Sequence, residues 1–498
     1  MITSFTKTKK WIAVAGIASM SISMLAACGN KETTSAAVNT NEEKPLELSV
    51  MMIQQLAEPP KNDSPILQKI QEETHTKLDI TWVPASSYDD KVSATIAAGT
   101  MPDLLLIRRN KESAMLQAQN AGVFWDLAPY LKDTKNLKNM SEVSKNNATI
   151  DGQLFGIPRE RVLARYGMIF RKDWLDQLGL QPPKSVDDIY TIAKAFTEND
   201  PDQNGKNDTF GIQEDSTMEL LKQLAVYSGG ANGWGLKDGK IIPDFMYPDF
   251  KASLDLYKKM IDEKLIGADF PIAKKYEYFN QEKAGIYFAV LDDAIVRHTD
   301  LMKQNPAVVV DIAQNFEGPQ GERARATLGY DNILAIPKSS VPDEGKLKQI
   351  IAFLDQLGEE PLQSLLMYGV EGTDYTVEDN QAVIIAGSSG SGDWKNFKWD
   401  DPYAGITPKE TEIEAKVKNT IISNSGIAVI DYSAGLISAT NTDKGSELRK
   451  AITDAQVRYV LGELDDKGWE DAIAKWRSSG GDQIIEEFTA NYNETASK

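Results

Sequence analysis

Oxygen-bearing side chains recur at regular spacing in one short loop. The loop reads Asp200-Pro201-Asp202-Gln203-Asn204-Gly205-Lys206-Asn207-Asp208. Side-chain oxygens at positions 1, 3, 5 and 9, a turn glycine at 6 and a backbone carbonyl at 7 match the first nine positions of an EF-hand loop. A hard cation needs about six to eight oxygens. The pattern therefore predicts a structural Ca²⁺ site whose ligands are Asp200, Asp202, Asn204, the Lys206 backbone carbonyl and Asp208.

The calcium motif is incomplete at its end. Position 12, which usually carries a bidentate glutamate, is Gly211. Thr209 or water would then have to complete the coordination. The alternative interpretation is an Asp- and Asn-rich turn that binds no ion.

The only cysteine, Cys28, ends an apolar segment near the amino terminus. Residues 1–10 carry three lysines and no acid, residues 11–27 are apolar or small, and Leu25-Ala26-Ala27 precede the thiol. This order is typical of an export signal, and its ending resembles the lipobox of bacterial lipoproteins. We expect cleavage after residue 27, acylation of Cys28, and a lipid-anchored protein on the extracellular face of the cell membrane. An ordinary secretory peptide with an incidental cysteine is the alternative.

Composition narrows the possible functions. The net charge of −19 argues against nucleic acid as a partner, because nucleic-acid binding needs clustered cations. With only two histidines, His75 and His298, histidine-based catalysis and His-rich zinc sites are disfavoured. Catalysis by carboxylate side chains is not excluded, since the chain has 73 Asp and Glu residues.

The chain order suggests an α/β protein with more than one domain. Residues 28–45 are polar and aperiodic, which is typical of a disordered tether. Strands are predicted at 46–52, 77–83 and 104–107, with helices at 64–74 and 88–98 between them. This alternation predicts a mostly parallel sheet. Arg108, Arg109 and Asn110 follow its third strand and are candidates for the ligand side; a solvated loop is the alternative for each. A tail from 446 to 493 is predicted to be mostly helical.

Five short segments, spread along the chain in a fixed order, carry a family resemblance. They are Ala97-Ala98-Gly99-Thr100-Met101-Pro102-Asp103, Gly156-Ile157-Pro158-Arg159, Phe170-Arg171-Lys172-Asp173-Trp174-Leu175, Tyr368-Gly369-Val370-Glu371-Gly372, and Gly480-Gly481-Asp482 followed by Tyr492-Asn493. Behind the signal and tether, the chain resembles the extracellular solute-binding proteins, family 1, of ABC sugar importers. It is most similar to the long lipoprotein subgroup that includes alginate-oligosaccharide binders.

The resemblance implies a two-lobed periplasmic-binding-protein-like fold of type II, with a hinge and an interlobe cleft. One lobe would comprise 46–160 plus 286–326, and the other 161–285 plus 327–498. The protein would be a monomer without enzymatic activity. It would capture an oligosaccharide and deliver it to two ABC permease subunits in the membrane.

Aromatic plates and planar polar groups are the side chains that sugar-binding sites use. Trp234 on a glycine-rich loop and Trp394, Trp399 and Tyr403 in an aperiodic segment fit this chemistry, and packing between or within lobes is the alternative for each. By family analogy, the cleft would also contain Arg159, Arg161, Tyr166, Tyr330, Asp331 and Tyr368. For the arginines the alternative is a pair with a carboxylate, and together they suggest a ligand with uronic acids.

Two other classes of function stay open. A surface glycoside hydrolase or polysaccharide lyase would need two opposed carboxylates about 5–10 Å apart. A lipoprotein adhesin that binds peptide or polymer would need neither a transporter nor a reaction.

Overall fold

Two β-sheets, each with its own hydrophobic core, organise the protein. The computed structural model describes residues 44–108, 110–314, 316–400 and 405–496. Residues 1–27 with the predicted signal, Cys28, Arg109 and Tyr403 lie outside the described residues. Within residues 44–108, 110–314, 316–400 and 405–496, no helix is long and apolar enough to cross a membrane.

The strands, in chain order, are β1 (Leu46–Gln54), β2 (Thr76–Pro84), β3 (Leu104–Ile107), β4 (Ile157–Glu160), β5 (Tyr166–Arg171), β6 (Phe210–Gln213), β7 (Trp234–Lys237), β8 (Lys240–Pro243), β9 (Ala284–Val290), β10 (Val310–Ala313), β11 (Glu317–Gly318), β12 (Gly321–Glu322), β13 (Ala324–Arg325), β14 (Tyr330–Ala335), β15 (Tyr375–Glu378), β16 (Gln381–Ile384), β17 (Thr407–Pro408) and β18 (Ala428–Val429).

The α-helices are α1 (Pro65–Thr74), α2 (Tyr88–Ala98), α3 (Ser113–Asn120), α4 (Ala128–Leu131), α5 (Glu142–Ala148), α6 (Lys172–Gln177), α7 (Val186–Glu198), α8 (Glu219–Tyr227), α9 (Pro248–Asp262), α10 (Glu277–Asn280), α11 (Asp293–Gln304), α12 (Glu344–Gln356), α13 (Leu362–Tyr368), α14 (Glu412–Ser423), α15 (Ala439–Val460), α16 (Asp466–Trp476) and α17 (Asp482–Ala496). Short 3₁₀ turns occur at Leu137–Asn139, Asp244–Met246, Gly392–Phe397 and Asn424–Ile427.

The first sheet has the order β2-β1-β3-β14-β4. Strand β1 pairs in parallel with β2 and β3, as the alternation of strands and helices predicted, while β14 is antiparallel to β3 and β4. Tyr88 of α2 fixes the end of this sheet, because its buried hydroxyl donates to the carbonyls of Met51 at 3.2 Å and Leu106 at 2.8 Å. The residues that follow β3 are thereby held at the edge where ligands of such sheets bind.

The second sheet has the order β10-β5-β9-β6. Strand β5 is antiparallel to both β10 and β9, and β9 is parallel to β6. One side of it packs on α7, α8, α9 and the carboxyl-terminal helices, through a core that includes Trp174, Phe196, Tyr257 and Trp469. The predicted helical tail is confirmed as α15, α16 and α17.

The predicted division of the chain between the lobes is wrong in its later half. Residues 286–326 were expected beside the first sheet, yet β9 and β10 pair with β5 in the second. Conversely, β14 inserts between β3 and β4, and α12, α13 and the 392–399 segment pack into the first core. The reason is that β9 is buried on both faces and finds its antiparallel partner in β5, which immediately follows the first crossing.

Two adjacent segments connect the sheets. The amide of Arg161 donates to the Gly329 carbonyl at 2.7 Å, and the amide of Thr327 donates to the Leu163 carbonyl at 2.6 Å. The outgoing segment 161–165 therefore runs beside the returning segment 326–329. Such a short, paired connection is suited to hinge motion between two rigid bodies.

Candidate functional site

Three neighbouring cavities, of about 420, 400 and 670 Å³, have one residue in common, Asp431. The first lies within the second lobe, beside Trp234 and Asp244. The second and third lie between the lobes, because residues near β3 or α5 form one wall and residues 430–442 form the other. This run of cavities is large enough for several sugar rings.

The segment 430–438 forms the shared wall. It is placed by β18, which pairs in parallel with β13, and by a hydrogen bond of 3.0 Å from the amide of Tyr432 to the Trp234 carbonyl. The amide and hydroxyl of Ser433 both donate to Asp431 Oδ1, at 2.8 and 2.7 Å. Ser438 then caps α15 by accepting from the amide of Asn441 at 2.9 Å. The aperiodic segment is thus fixed at both ends.

Trp234, for which a ligand plate and lobe packing were both expected, lines the cavity of the second lobe and packs against its core. Its ring is partly exposed and is supported edge-on by Phe488, with centroids 4.9 Å apart, and by Trp476 at 6.2 Å. Asn232 anchors the glycine-rich loop by donating to the carbonyls of Ala326 at 2.9 Å and Val429 at 2.8 Å. The loop is therefore braced, and the partly exposed Trp234 lines the cavity.

Two carboxyl groups face the same cavity as Trp234. Burial raises the pKa of Asp244 to about 7, and the nearby Asp431 raises it further in the same direction. Burial also raises the pKa of Asp431, against the hydrogen bonds from Ser433 that lower it. Near neutral pH, such a pair can both donate and accept hydrogen bonds, which matches the dual character of sugar hydroxyls.

The first-lobe wall contains residues that follow β3. Arg108, Asn110 and Lys111 line the 400 Å³ cavity, so the predicted ligand-side position of Arg108 and Asn110 agrees with the structure. Tyr330 is also there, but buried, and its hydroxyl donates to Asn110 Oδ1 at 3.1 Å. Burial raises the pKa of Tyr330 well above its usual range. Its role in this wall is to orient Asn110.

Arg159, Arg161 and Asp331 form an ion-pair network beside the hinge. Arg159 is buried and donates to the carbonyls of Lys395 and Lys398, both at 3.2 Å. Its Nη1 lies 3.5 Å from Asp331 Oδ1, while Arg161 pairs with Asp331 Oδ2. Burial lowers the pKa of Arg159 to about 10, so it stays charged at neutral pH. Both arginines therefore pair with a carboxylate of the protein, which is the alternative that the sequence left open for them. Of the three residues in this network, Asp331 lines the 400 Å³ cavity and the two arginines do not.

The remaining aromatic candidates take other positions. Trp394 and Trp399 are buried in the core of the first lobe, where the Trp399 indole donates to the Leu354 carbonyl at 2.7 Å. Tyr368 is buried and donates to the Ile406 carbonyl at 2.8 Å. Tyr166 lies 4.5 Å below the Arg325 guanidinium. The packing alternative therefore describes Trp394 and Trp399, and Tyr368, expected in the cleft by family analogy, is likewise covered by its own lobe.

The Asp200–Asp208 loop brings its predicted ligands close together. Asn204 Nδ2 donates to Asp202 Oδ2 at 2.8 Å and to Asp208 Oδ1 at 3.0 Å, so a donor lies between the two carboxylates, as a cation would. Asp200 Oδ2 accepts from the amide of Gly205 at 3.0 Å, whereas its buried Oδ1 has no partner among the described residues. Burial and the nearby acids raise the pKa of Asp202. In the part of the chain that the structure describes, no group of three or more His, Cys, Asp or Glu side chains is arranged to hold a metal ion.

The structure shows what occupies the incomplete end of the calcium motif. The hydroxyl of Thr209 points inward and donates to the Phe196 carbonyl at 2.9 Å, so Thr209 does not serve as a substitute ligand. A Cβ on Gly211 would lie 2.4 Å from the Ala193 carbonyl oxygen. Helix α7 therefore packs where the bidentate glutamate of a complete EF-hand loop would begin.

Sequence reasoning missed most of the shared wall. Segment 430–438, Asp244 and Lys111 were not among the predicted site residues. One signal was present: residues 430–438, IDYSAGLIS, mix small, polar and apolar side chains, lack periodicity, and directly precede a long helix. Such segments next to rigid elements often carry binding residues.

Comparison with known proteins gives consistent matches. The family model described as "Bacterial extracellular solute-binding protein" matches residues 57–360. The polygalacturonan/rhamnogalacturonan-binding protein YtcQ of Bacillus subtilis strain 168 is 36% identical over 93% of this chain and 95% of its own. Lipoprotein LipO of the same strain is 34% identical over 97% and 98% of the two chains.

The fold also matches solved structures. The crystal structure of the alginate-binding protein AlgQ2 without calcium ion superposes with a TM-score of 0.67 at 18% identity, covering 91% of this chain and 98% of that chain. The two-lobed α/β fold and the family resemblance predicted from the sequence are thereby confirmed.

Proposed function

We propose that this chain, which belongs to the bacterial extracellular solute-binding proteins, captures an oligosaccharide outside the cell and delivers it to an ABC permease. One observation carries the proposal. A half-exposed tryptophan, two carboxyl groups of raised pKa and a serine–asparagine wall surround cavities that continue from the second lobe into the interlobe space. Sugar recognition uses this combination of apolar ring face and planar polar groups.

The ligand class that we propose is an acidic plant cell-wall oligosaccharide. Support comes from the name of YtcQ, a polygalacturonan/rhamnogalacturonan binder with more than a third of its residues in common with this chain. Calorimetric titration of the full chain in detergent with trigalacturonate, a rhamnogalacturonan fragment and maltotriose tests the proposal. We expect saturable binding of one acidic ligand and recovery of that ligand uncut. Binding of maltotriose alone, or cleavage products in the recovered ligand, would contradict it.

A lipid anchor at Cys28 is part of the same proposal. The export signal and the small-residue ending before Cys28 support it, as does the similarity to lipoprotein LipO. The anchored monomer would then engage two permease subunits at the extracellular face of the membrane. Growth with radiolabelled palmitate should label the wild-type chain and leave Cys28→Ala unlabelled. Equal labelling of both would refute the anchor.

A bound Ca²⁺ in the Asp200–Asp208 loop is a separate proposal. The donors fit a hard cation in kind, because the Asn204 amide bridges the carboxylates of Asp202 and Asp208, and the buried Asp200 Oδ1 has no partner among the described residues. The ion would brace the loop between α7 and β6. We expect EGTA to lower the melting temperature of the wild-type chain and leave that of Asp200→Asn unchanged. Equal melting of the wild-type chain with and without EGTA would refute the site.

A further inference from the structure

Lys111 places a buried cation on the first-lobe wall of the interlobe cavity. It follows β3 at the carboxyl edge of the first sheet and lines the 400 Å³ cavity opposite Asp431 and Asn441. Its Nζ is buried and has no hydrogen-bond partner within the described ranges. An ammonium group so placed loses hydration without receiving a compensating contact. The fold thus maintains an unfavourable charge at the wall of its binding cavity.

Three other cations near this cavity, Arg108, Arg161 and Arg325, are already neutralised. Arg161 pairs with Asp331, and Arg108 lies 3.7 Å from Asp89 and donates to the Ala85 carbonyl. Arg325, which stacks on Tyr166, pairs with Glu219 at 2.8 Å. Lys111 differs from these three arginines because its ammonium group has no partner within the described residues and can pair with a ligand.

The opposite wall does not satisfy Lys111. Asp431 is near enough to favour the charged form of the lysine, but its Oδ1 is engaged by Ser433 and it forms no hydrogen bond with Nζ. Burial lowers the pKa of Lys111 to about 8, so most of the population is still cationic at pH 7. Arg449 of α15 adds a second, exposed cation to the same cavity. The space between the two walls is therefore available to an anionic group.

We propose that Lys111 Nζ binds the carboxylate of a uronic acid residue and so selects acidic over neutral oligosaccharides. This inference rests on the proposed function and names the residue that distinguishes charged from neutral ligands. It replaces the expectation that Arg159 and Arg161 do so, because both arginines have protein partners. When a carboxylate fills the cavity, the unpaired ammonium gains a charge-assisted hydrogen bond that the ligand-free chain lacks.

The test compares one sugar backbone with and without its charges. The full chain, Lys111→Met and Lys348→Met are titrated with trigalacturonate and with its fully methyl-esterified, neutral form. Lys348 is exposed and pairs with Glu344 on α12, so Lys348→Met removes the same charge away from the cavity. We expect Lys111→Met to lose about ten- to hundredfold in affinity for trigalacturonate and less than threefold for the ester. Lys348→Met should match the wild type with both ligands.

The outcomes separate this inference from the proposed function. An acid preference retained in Lys111→Met, or an equal loss for acid and ester, would overturn the role of Lys111 while leaving oligosaccharide capture in place. Binding of neither trimer by the wild-type chain would overturn the ligand class and the inference together. Ligand-free Lys111→Met should melt at or above the wild-type temperature, because it removes an unpaired buried charge; this verifies that the variant is folded.

Discussion

Replacing Glu214 with glutamine should remove a pH dependence of stability that is built into the second lobe. Glu214 directly follows β6 and is buried. Its Oε2 accepts from the amide of Leu220 at 2.9 Å, and its Oε1 from that of Asp215 at 3.3 Å. The side chain therefore holds the first turn of α8, the helix that contributes Leu221 and Lys222 to the ligand cavity.

The magnitude follows from the environment of this carboxyl group. Burial raises the pKa of Glu214 from 4.5 to about 8, with the nearby Glu219 and Asp215 acting in the same direction. Because the folded state holds this proton more tightly than the unfolded chain, its contribution to stability is complete below pH 4.5 and is lost as the pH rises towards 8. At about 1.4 kcal/mol per pH unit, the free energy of unfolding should fall by up to about 3 kcal/mol between pH 5 and pH 7.

Urea unfolding at pH 5, 6 and 7, followed by tryptophan fluorescence, measures this slope. The measured quantity is the difference in the free energy of unfolding between Glu214→Gln and the wild type. We expect this difference to rise by about 2–3 kcal/mol from pH 5 to pH 7, whatever the difference is at pH 5. Glu72→Gln, an exposed change on α1, is the control and should run parallel to the wild type. Parallel profiles for Glu214→Gln and the wild type would refute the assignment of a protonated, buried Glu214.

Two further predictions concern the calcium loop and the ligand plate. Gly211→Ala should destabilise the protein by about 1–3 kcal/mol in urea unfolding, because the new Cβ would lie 2.4 Å from the Ala193 carbonyl oxygen. The control is Gly426→Ala, whose Cβ would meet nothing within 4 Å. Its free energy of unfolding should stay within about 0.5 kcal/mol of that of the wild type. Equal stability of the two variants would contradict the close packing of α7. Trp234→Ala should weaken trigalacturonate binding about tenfold or more in calorimetry, while Trp234→Phe keeps a ring and should stay within about threefold. Wild-type affinity in Trp234→Ala would remove Trp234 from the site.

The first sheet was predictable from the sequence because its signals are local. Residues 104–107 form a continuous apolar run and 77–83 alternate, so strand positions and the order of β1, α1, β2, α2 and β3 agree with prediction within one or two residues. The capping box of Ser185 and Asp188 at the start of α7 is also a local signal, because both partners lie within one helical turn.

Tertiary pairing decided what the sequence alone left open. Strand β9 could have joined either sheet, and its antiparallel register with β5 is a long-range choice. Trp394 and Trp399 have the composition of ligand plates, but whether a ring meets a ligand or a core depends on the partners that fold against it. The shared wall at 430–438 depends on β18 reaching β13, about a hundred residues earlier in the chain. No local pattern encodes that contact.

The most direct test of the central claim is calorimetric titration of the wild-type chain and Asp431→Ala with trigalacturonate. Asp431 is the residue that the three cavities have in common, so a ligand lying in them must pass it. The account predicts saturable one-to-one binding by the wild-type chain and a loss of about tenfold or more in Asp431→Ala. Equal affinity of the two proteins would contradict a ligand site formed around segment 430–438.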